Sequence, residues 1–126
     1  MKTIAIVGAS NDRKKFGNKA VRAYALKGFQ VFPIHPSASE IEGLPVYHSV
    51  LQVPVNHIDR ASMYLPAAAA MGVLEELRQK AIDEVWFNPG ADHPDVVARA
   101  HQMGLNVVLG CSILDIGISP AEFSDQ

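Results

Sequence analysis

Lys2-Thr3-Ile4-Ala5-Ile6-Val7-Gly8-Ala9-Ser10-Asn11-Asp12-Arg13-Lys14-Lys15-Phe16-Gly17-Asn18 holds three signals in a row. Thr3 to Val7 has no polar side to give to water, so it reads as a strand covered on both faces. Gly8 to Gly17 is a loop of small and basic residues. Gly17-Asn18 opens a helix that runs to about Lys27, with Ala20, Val21, Tyr24 and Ala25 on its buried face and Gly28 at its end. A strand, a glycine-edged loop and a helix start together aim backbone N–H groups and the positive end of the helix dipole at one point. That arrangement suits a phosphate group.

The same alternation continues down the chain. Strands are expected at Gln30–Ile34, Pro45–Tyr47, Asp59–Leu65, Asp83–Asn88 and Asn106–Leu109, with one helical turn at 49–52. Pro33 cannot donate to a ladder, so pairing on one side of the second strand must fail there. Residues 35–45 read as loop. Helices are expected at Ala67–Ala81, with Ala70, Val73, Leu74, Leu77 and Ala81 at helical spacing and a supporting Glu76–Lys80 pair, and after Asp92, ending at Gly104. Trp86 and Met63 belong to the core. The tail from Ser112 is apolar, then acidic, and is expected across the sheet edge or against a partner. Strands joined by helices give right-handed crossovers, hence a doubly wound, mostly parallel α/β sheet of five or six strands in three layers, Rossmann-like and a single domain over residues 1–126.

Ligands of such sheets bind beyond the carboxyl ends of the strands. That rule gathers Gly8, Ala9, Ser10, Asn11, Arg13, Lys14, Lys15, Gly17 and Asn18 with His35-Pro36, Leu65-Pro66, Asn88-Pro89-Gly90 and Gly110-Cys111. A Walker loop is excluded, because Phe16-Gly17-Asn18 replaces its Gly-Lys-Ser/Thr. The NAD fingerprint lacks its second glycine, and no acid ends the second strand. NAD(P) remains an alternative ligand on fold grounds, in a redox sensor or dehydrogenase-like module. A third reading is an interaction module whose nucleotide site is a relict.

Composition narrows the field. The chain has 126 residues, 48% of them apolar, and a net charge of −2. That balance supports one core and speaks against broad nucleic-acid binding. The start lacks the sections of a signal peptide, and no apolar run would cross a bilayer, so a cytoplasmic protein is expected. No pair of the five histidines has zinc-helix spacing, and one cysteine cannot build a structural zinc site, so no metal is expected. Cys111 reads first as a small apolar residue at a strand end. No Ser/His/Asp or Cys/His set compels a catalytic reading.

Val7-Gly8-Ala9-Ser10 with the basic loop and Phe16-Gly17 resembles the start of the small CoA-binding domain proteins, a domain that also forms the N-terminal part of the succinyl-CoA synthetase α subunit. The resemblance runs on through Val31-Phe32-Pro33-Ile34-His35-Pro36, Ile41-Glu42-Gly43-Leu44-Pro45-Val46-Tyr47, Tyr64-Leu65-Pro66 and Gly104-Leu105-Asn106-Val107-Val108 before Cys111. Leu109-Gly110 stands where members often have an aspartate–arginine pair. The resemblance implies coenzyme A or an acyl-CoA as ligand. Its diphosphate would lie on the Gly8–Gly17 loop, with cation support from Arg13 and Lys14. Its adenosine would lie near His35-Pro36 and Pro66, and its pantetheine arm near Cys111. It also implies binding without catalysis by this chain alone, and either a homo-oligomer or an enzyme completed by a partner chain.

Overall fold

Residues 2–126 are described in a computed structural model of the chain. β1 (Thr3–Val7) leads through the glycine-edged loop into α1 (Phe16–Leu26), and β2 (Gln30–Ile34) returns beside β1. A small hairpin follows, β3 (Glu40–Ile41) and β4 (Leu44–Pro45), then a single 3-10 turn at Val50–Gln52. β5 (His57–Met63), α2 (Ala67–Gln79), β6 (Ala81–Phe87), α3 (Pro94–Gln102) and β7 (Val107–Leu109) complete the alternation. The tail forms α4 (Ser112–Asp115) and a last 3-10 turn at Pro120–Glu122.

The five long strands make one parallel sheet in the order β2-β1-β5-β6-β7. Two apolar layers cover it. On one face Ile4, Ile6 and Val31 meet Ala20, Val21 and Tyr24 of α1, together with Ile113 and Ile118 of the tail. On the other face Val7, Met63 and Phe87 meet Ala70, Leu74 and Leu77 of α2, with Val96 and Ala100 of α3. This is the expected three-layer, doubly wound α/β fold. All five residues of β1 are buried because it lies inside the sheet with helices on both sides.

Several boundaries differ from the sequence reading. α1 begins at Phe16 rather than Asn18, and Ala23 rather than Ala25 is buried on its inner face. Residues 35–45 are not all loop. Glu42 (φ 50°) and Gly43 (φ 77°) close a two-residue turn, the geometry that suits tight hairpins, and Glu40 pairs with Pro45. The third expected strand shrinks to β4 and one parallel bridge from Tyr47 to Ile34. Pro33 is tolerated because β2 is an edge strand, and its carbonyl still accepts from the Tyr47 amide at 3.0 Å.

β5 starts and stops two residues earlier than expected, at His57 and Met63. α2 ends at Gln79 and Ala81 opens β6, since its helical spacing coincides with a strand start. The Glu76–Lys80 pair does not form: Glu76 accepts from the Ser49 hydroxyl, and Lys80 reaches the Val53 carbonyl at 3.0 Å. The tail lies on the α1 face of the sheet, drawn there by Ile113 and Ile118, rather than across the sheet edge.

Candidate functional site

Chain order reverses at β1. From it the chain moves outward to β2, then crosses to β5 on the other side. A cleft of about 460 Å³ opens at the carboxyl ends of these two strands. Gly8, Lys15, Phe16 and Gly17 form one wall; Tyr64-Leu65-Pro66 and Pro89-Gly90-Ala91 form the other.

The first wall is built from backbone. Gly8 sits at φ 96°, where a Cβ would lie 2.9 Å from the Tyr64 carbonyl carbon and oxygen. A Cβ on Gly17 would lie 2.2 Å from the Gly8 oxygen, so only glycine lets α1 start this close to the end of β1. The amides of Gly8 and Ala9 both donate to the Ile34 carbonyl, at 3.3 and 3.2 Å, which anchors the loop to β2. Asp12 then shapes the turn: its Oδ1 accepts from the Lys14 amide at 3.1 Å and its carbonyl accepts from Lys15 at 3.0 Å. Lys15 occupies the position before α1, supplies no side-chain cap, and no acid lies in the first turn. The start of α1 therefore faces the cleft without a side-chain cap, its nearest carboxylates, Asp12 and Glu42, being held by the Lys14 amide and by Asn18 and Arg13.

The basic run divides by role. Lys15 lines the cleft, while Lys14 is exposed and unpaired among the described residues. Arg13 is already engaged, with Nε and Nη2 on the two Glu42 oxygens at 3.2 and 3.0 Å and Nη1 on the Gln126 carbonyl at 2.6 Å. Buried Asn18 binds the same carboxylate at 3.0 Å and the Ser10 carbonyl at 2.9 Å, and its Oδ1 accepts from Arg22 at 2.8 Å. The Asn18 amide, then the Arg13 guanidinium, hold the Glu42 carboxyl below its ordinary range. Ser10 accepts from the Asp12 amide at 3.0 Å, and Asn11 donates to the Glu40 carbonyl at 3.1 Å. These side chains brace the loop. His35 also works locally, its Nδ1 accepting from the Ser37 and Ala38 amides at 3.1 and 2.9 Å; neither it nor Pro36 lines the cleft.

A second hollow, about 250 Å³, shares Phe16, Tyr64 and Pro89 with the first and continues to Cys111, Ile113, Leu114 and Pro120. Beneath it runs a buried polar network. Asn88 donates to Ser62 Oγ at 2.8 Å and to the Met63 carbonyl at 2.9 Å, and accepts from the Ser112 amide at 2.8 Å. Ser62 and Ser112 share a 2.7 Å hydroxyl contact. Tyr24 donates to the Ser112 carbonyl at 2.8 Å, and Tyr64 lies 3.3 Å from Ser112 Oγ. Burial pushes the Tyr64 hydroxyl up to about 12 and raises Tyr24 in the same direction.

Sequence reasoning omitted Tyr64, Glu42, Arg22, Ser62 and Ser112 from the site and its support. Tyr64 follows a strand that ends at this edge, so the edge rule reaches it. Nothing in the sequence pairs Glu42 with Arg13 across 29 positions. Away from the cleft, at the start of β5 and β6, potential ligand atoms of His57, Asp59 and Asp83 lie within 4.8 Å of one another. Two existing contacts account for that cluster: a 2.8 Å His57–Asp83 pair, and Asp59 accepting from Thr3. No described helix is long and apolar enough to cross a membrane.

The family described as "CoA binding domain" matches residues 2–116. The α subunit of acetate–CoA ligase (ADP-forming) I from Pyrococcus furiosus is 32% identical over 98% of this chain and 30% of its own length. A conserved hypothetical protein from Pyrococcus furiosus superposes with a TM-score of 0.82 at 30% identity, covering 91% of this chain and 99% of that one. The Ca. Korarchaeum cryptofilum dinucleotide forming acetyl-coenzyme A synthetase 1, solved with phosphate and ADP, superposes at 0.72 with 30% identity, covering 85% of this chain and 25% of that one. The chain spans less than a third of the length of the curated relatives it matches. The NAD(P) alternative draws no support from these relatives.

Proposed function

This chain belongs to the CoA-binding domain family, and on that premise we propose that coenzyme A lies in the cleft between β1 and β5. The uncapped start of α1 carries the proposal. Its first turn has no side-chain cap and no acidic residue of its own, and it opens onto a cleft large enough for a nucleotide. The diphosphate rests on the Phe16 and Gly17 amides. Lys15 supplies the near cation and Lys14 the outer one, because Arg13 is committed to Glu42. Leu65-Pro66 offers an apolar face for the adenine, and the pantetheine arm runs past Tyr64 toward Cys111.

In this proposal the chain binds and does no chemistry alone, since no nucleophile–base pair is among the lining residues of the cleft. The relative named as a ligase subunit supports a second step: the domain presents CoA to a catalytic apparatus on another chain. Titration calorimetry with CoA, dephospho-CoA, NAD and NADP tests the core reading. CoA binds best, and Lys15→Ala weakens it roughly tenfold, the size of one charge-assisted contact. Heat from NAD alone, or none from any of the four, overturns it.

A further inference from the structure

The hollow beyond the cleft differs from it in kind. None of its lining residues is charged, and its only side-chain polar groups apart from the Cys111 thiol belong to Asn88 and Tyr64. Both point into the buried network: the Asn88 amide is used at both ends, and the Tyr64 hydroxyl faces Ser112. What faces the hollow is therefore ring, methyl and thiol. Two of its walls are large apolar side chains left open to water, Phe16 at 56% and Leu114 at 58%. Folding gains little from leaving them there.

Its volume, about 250 Å³, exceeds the ~150 Å³ apolar cavity that stays dry and accepts benzene. The absence of a lining cation makes it a poor host for a free carboxylate. An apolar occupant needs an anchor, and the shared Phe16–Tyr64–Pro89 boundary joins the hollow to the phosphate-binding cleft.

We infer that this hollow is an acyl pocket, selecting CoA thioesters with a branched or aromatic acyl group over free CoA. The inference rests on the proposed placement of CoA in the cleft. The acyl chain enters between Phe16 and Leu114, displaces poorly held water and covers both exposed side chains. Acetyl leaves most of the space empty and gains little.

Calorimetry with CoA, acetyl-CoA, isobutyryl-CoA and benzoyl-CoA on the full chain reads this directly. Benzoyl-CoA is expected to bind at least about tenfold tighter than CoA, the scale of a few apolar groups in a fitted pocket, with acetyl-CoA close to CoA. Leu114→Glu, at an exposed position where folding is insensitive, should reduce the benzoyl-CoA advantage to within twofold. Equal affinity for CoA and benzoyl-CoA in the native chain overturns the acyl pocket and leaves CoA binding standing. A benzoyl-CoA preference that survives Leu114→Glu overturns the assigned location. No binding of any of the four overturns the cleft reading, and the pocket with it.

Discussion

The loop after β1 and the loop after β6 both end at the same cleft, yet they hold their shape by opposite means. The first is backbone and surface charge: two glycines in close contact, and an Arg13–Glu42–Asn18 cluster that braces the loop. The second is anchored from below, where Asn88 ties β5, β6 and α4 together with three buried bonds. Surface charge in water holds weakly and can be rearranged; a hydrogen bond in a dry core cannot be dropped without leaving its partner stranded. The first loop can therefore rearrange at little cost, while the second keeps the walls in register.

The largest effect should come from the anchored side. Asn88→Leu strands the Ser112 amide and the Met63 carbonyl, and a urea titration should show a loss of about 3 kcal/mol. A loss below about 1 kcal/mol would mean that the two loops are not built differently at all.

Gly17→Ala attacks the first loop through sterics. The new methyl lies on the Gly8 oxygen, so stability should fall by about 2 kcal/mol and CoA affinity by more than tenfold. Unchanged CoA affinity in a folded Gly17→Ala protein would detach the ligand from this loop.

Tyr64→Phe sharpens the comparison with pH. Its bond to Ser112 is long, so the loss near neutrality should stay under about 1 kcal/mol. The native hydroxyl titrates near 12, above its value in the unfolded chain. Its share of stability is therefore complete below about pH 10 and is lost as pH rises toward 12. Stability curves should fall less steeply across that window in the variant, with Tyr24 retaining part of the slope. Identical slopes would show that the Tyr64 hydroxyl is not buried.

The smallest effect belongs to the charge cluster that braces the first loop. Glu42→Gln should cost a few tenths of a kcal/mol at pH 7. Because the native carboxyl titrates below its usual range, the difference should vanish as pH falls through that lowered value. A cost as large as that of Asn88→Leu would place the Arg13–Glu42–Asn18 cluster among the structural anchors.

Strand periodicity, helix starts and glycine positions carried most of the architecture, since each is a local consequence of which residues tolerate burial or a left-handed turn. β1, β2 and the end of α1 stand where their apolar runs and Gly28 put them. The end of α2 and both ends of β5 drifted by two positions. The hairpin was hidden because its strands are two residues long, too short for any pattern to register.

The amino-acid order by itself determined an alternating parallel sheet and a glycine-edged loop running from the first strand into the first helix, because hydrophobic period and backbone freedom act between neighbours in the chain. Only the tertiary structure decided which cation is free. Arg13, Lys14 and Lys15 are equivalent as letters. Glu42 claims Arg13 across the hairpin, and the geometry of α1 turns Lys15 toward the cleft. The hollow beside Cys111 was likewise beyond sequence reading, since its walls come from α1, the ends of β5 and β6, and the tail. Charge pairing and cavities depend on distance in space, which the linear order does not carry.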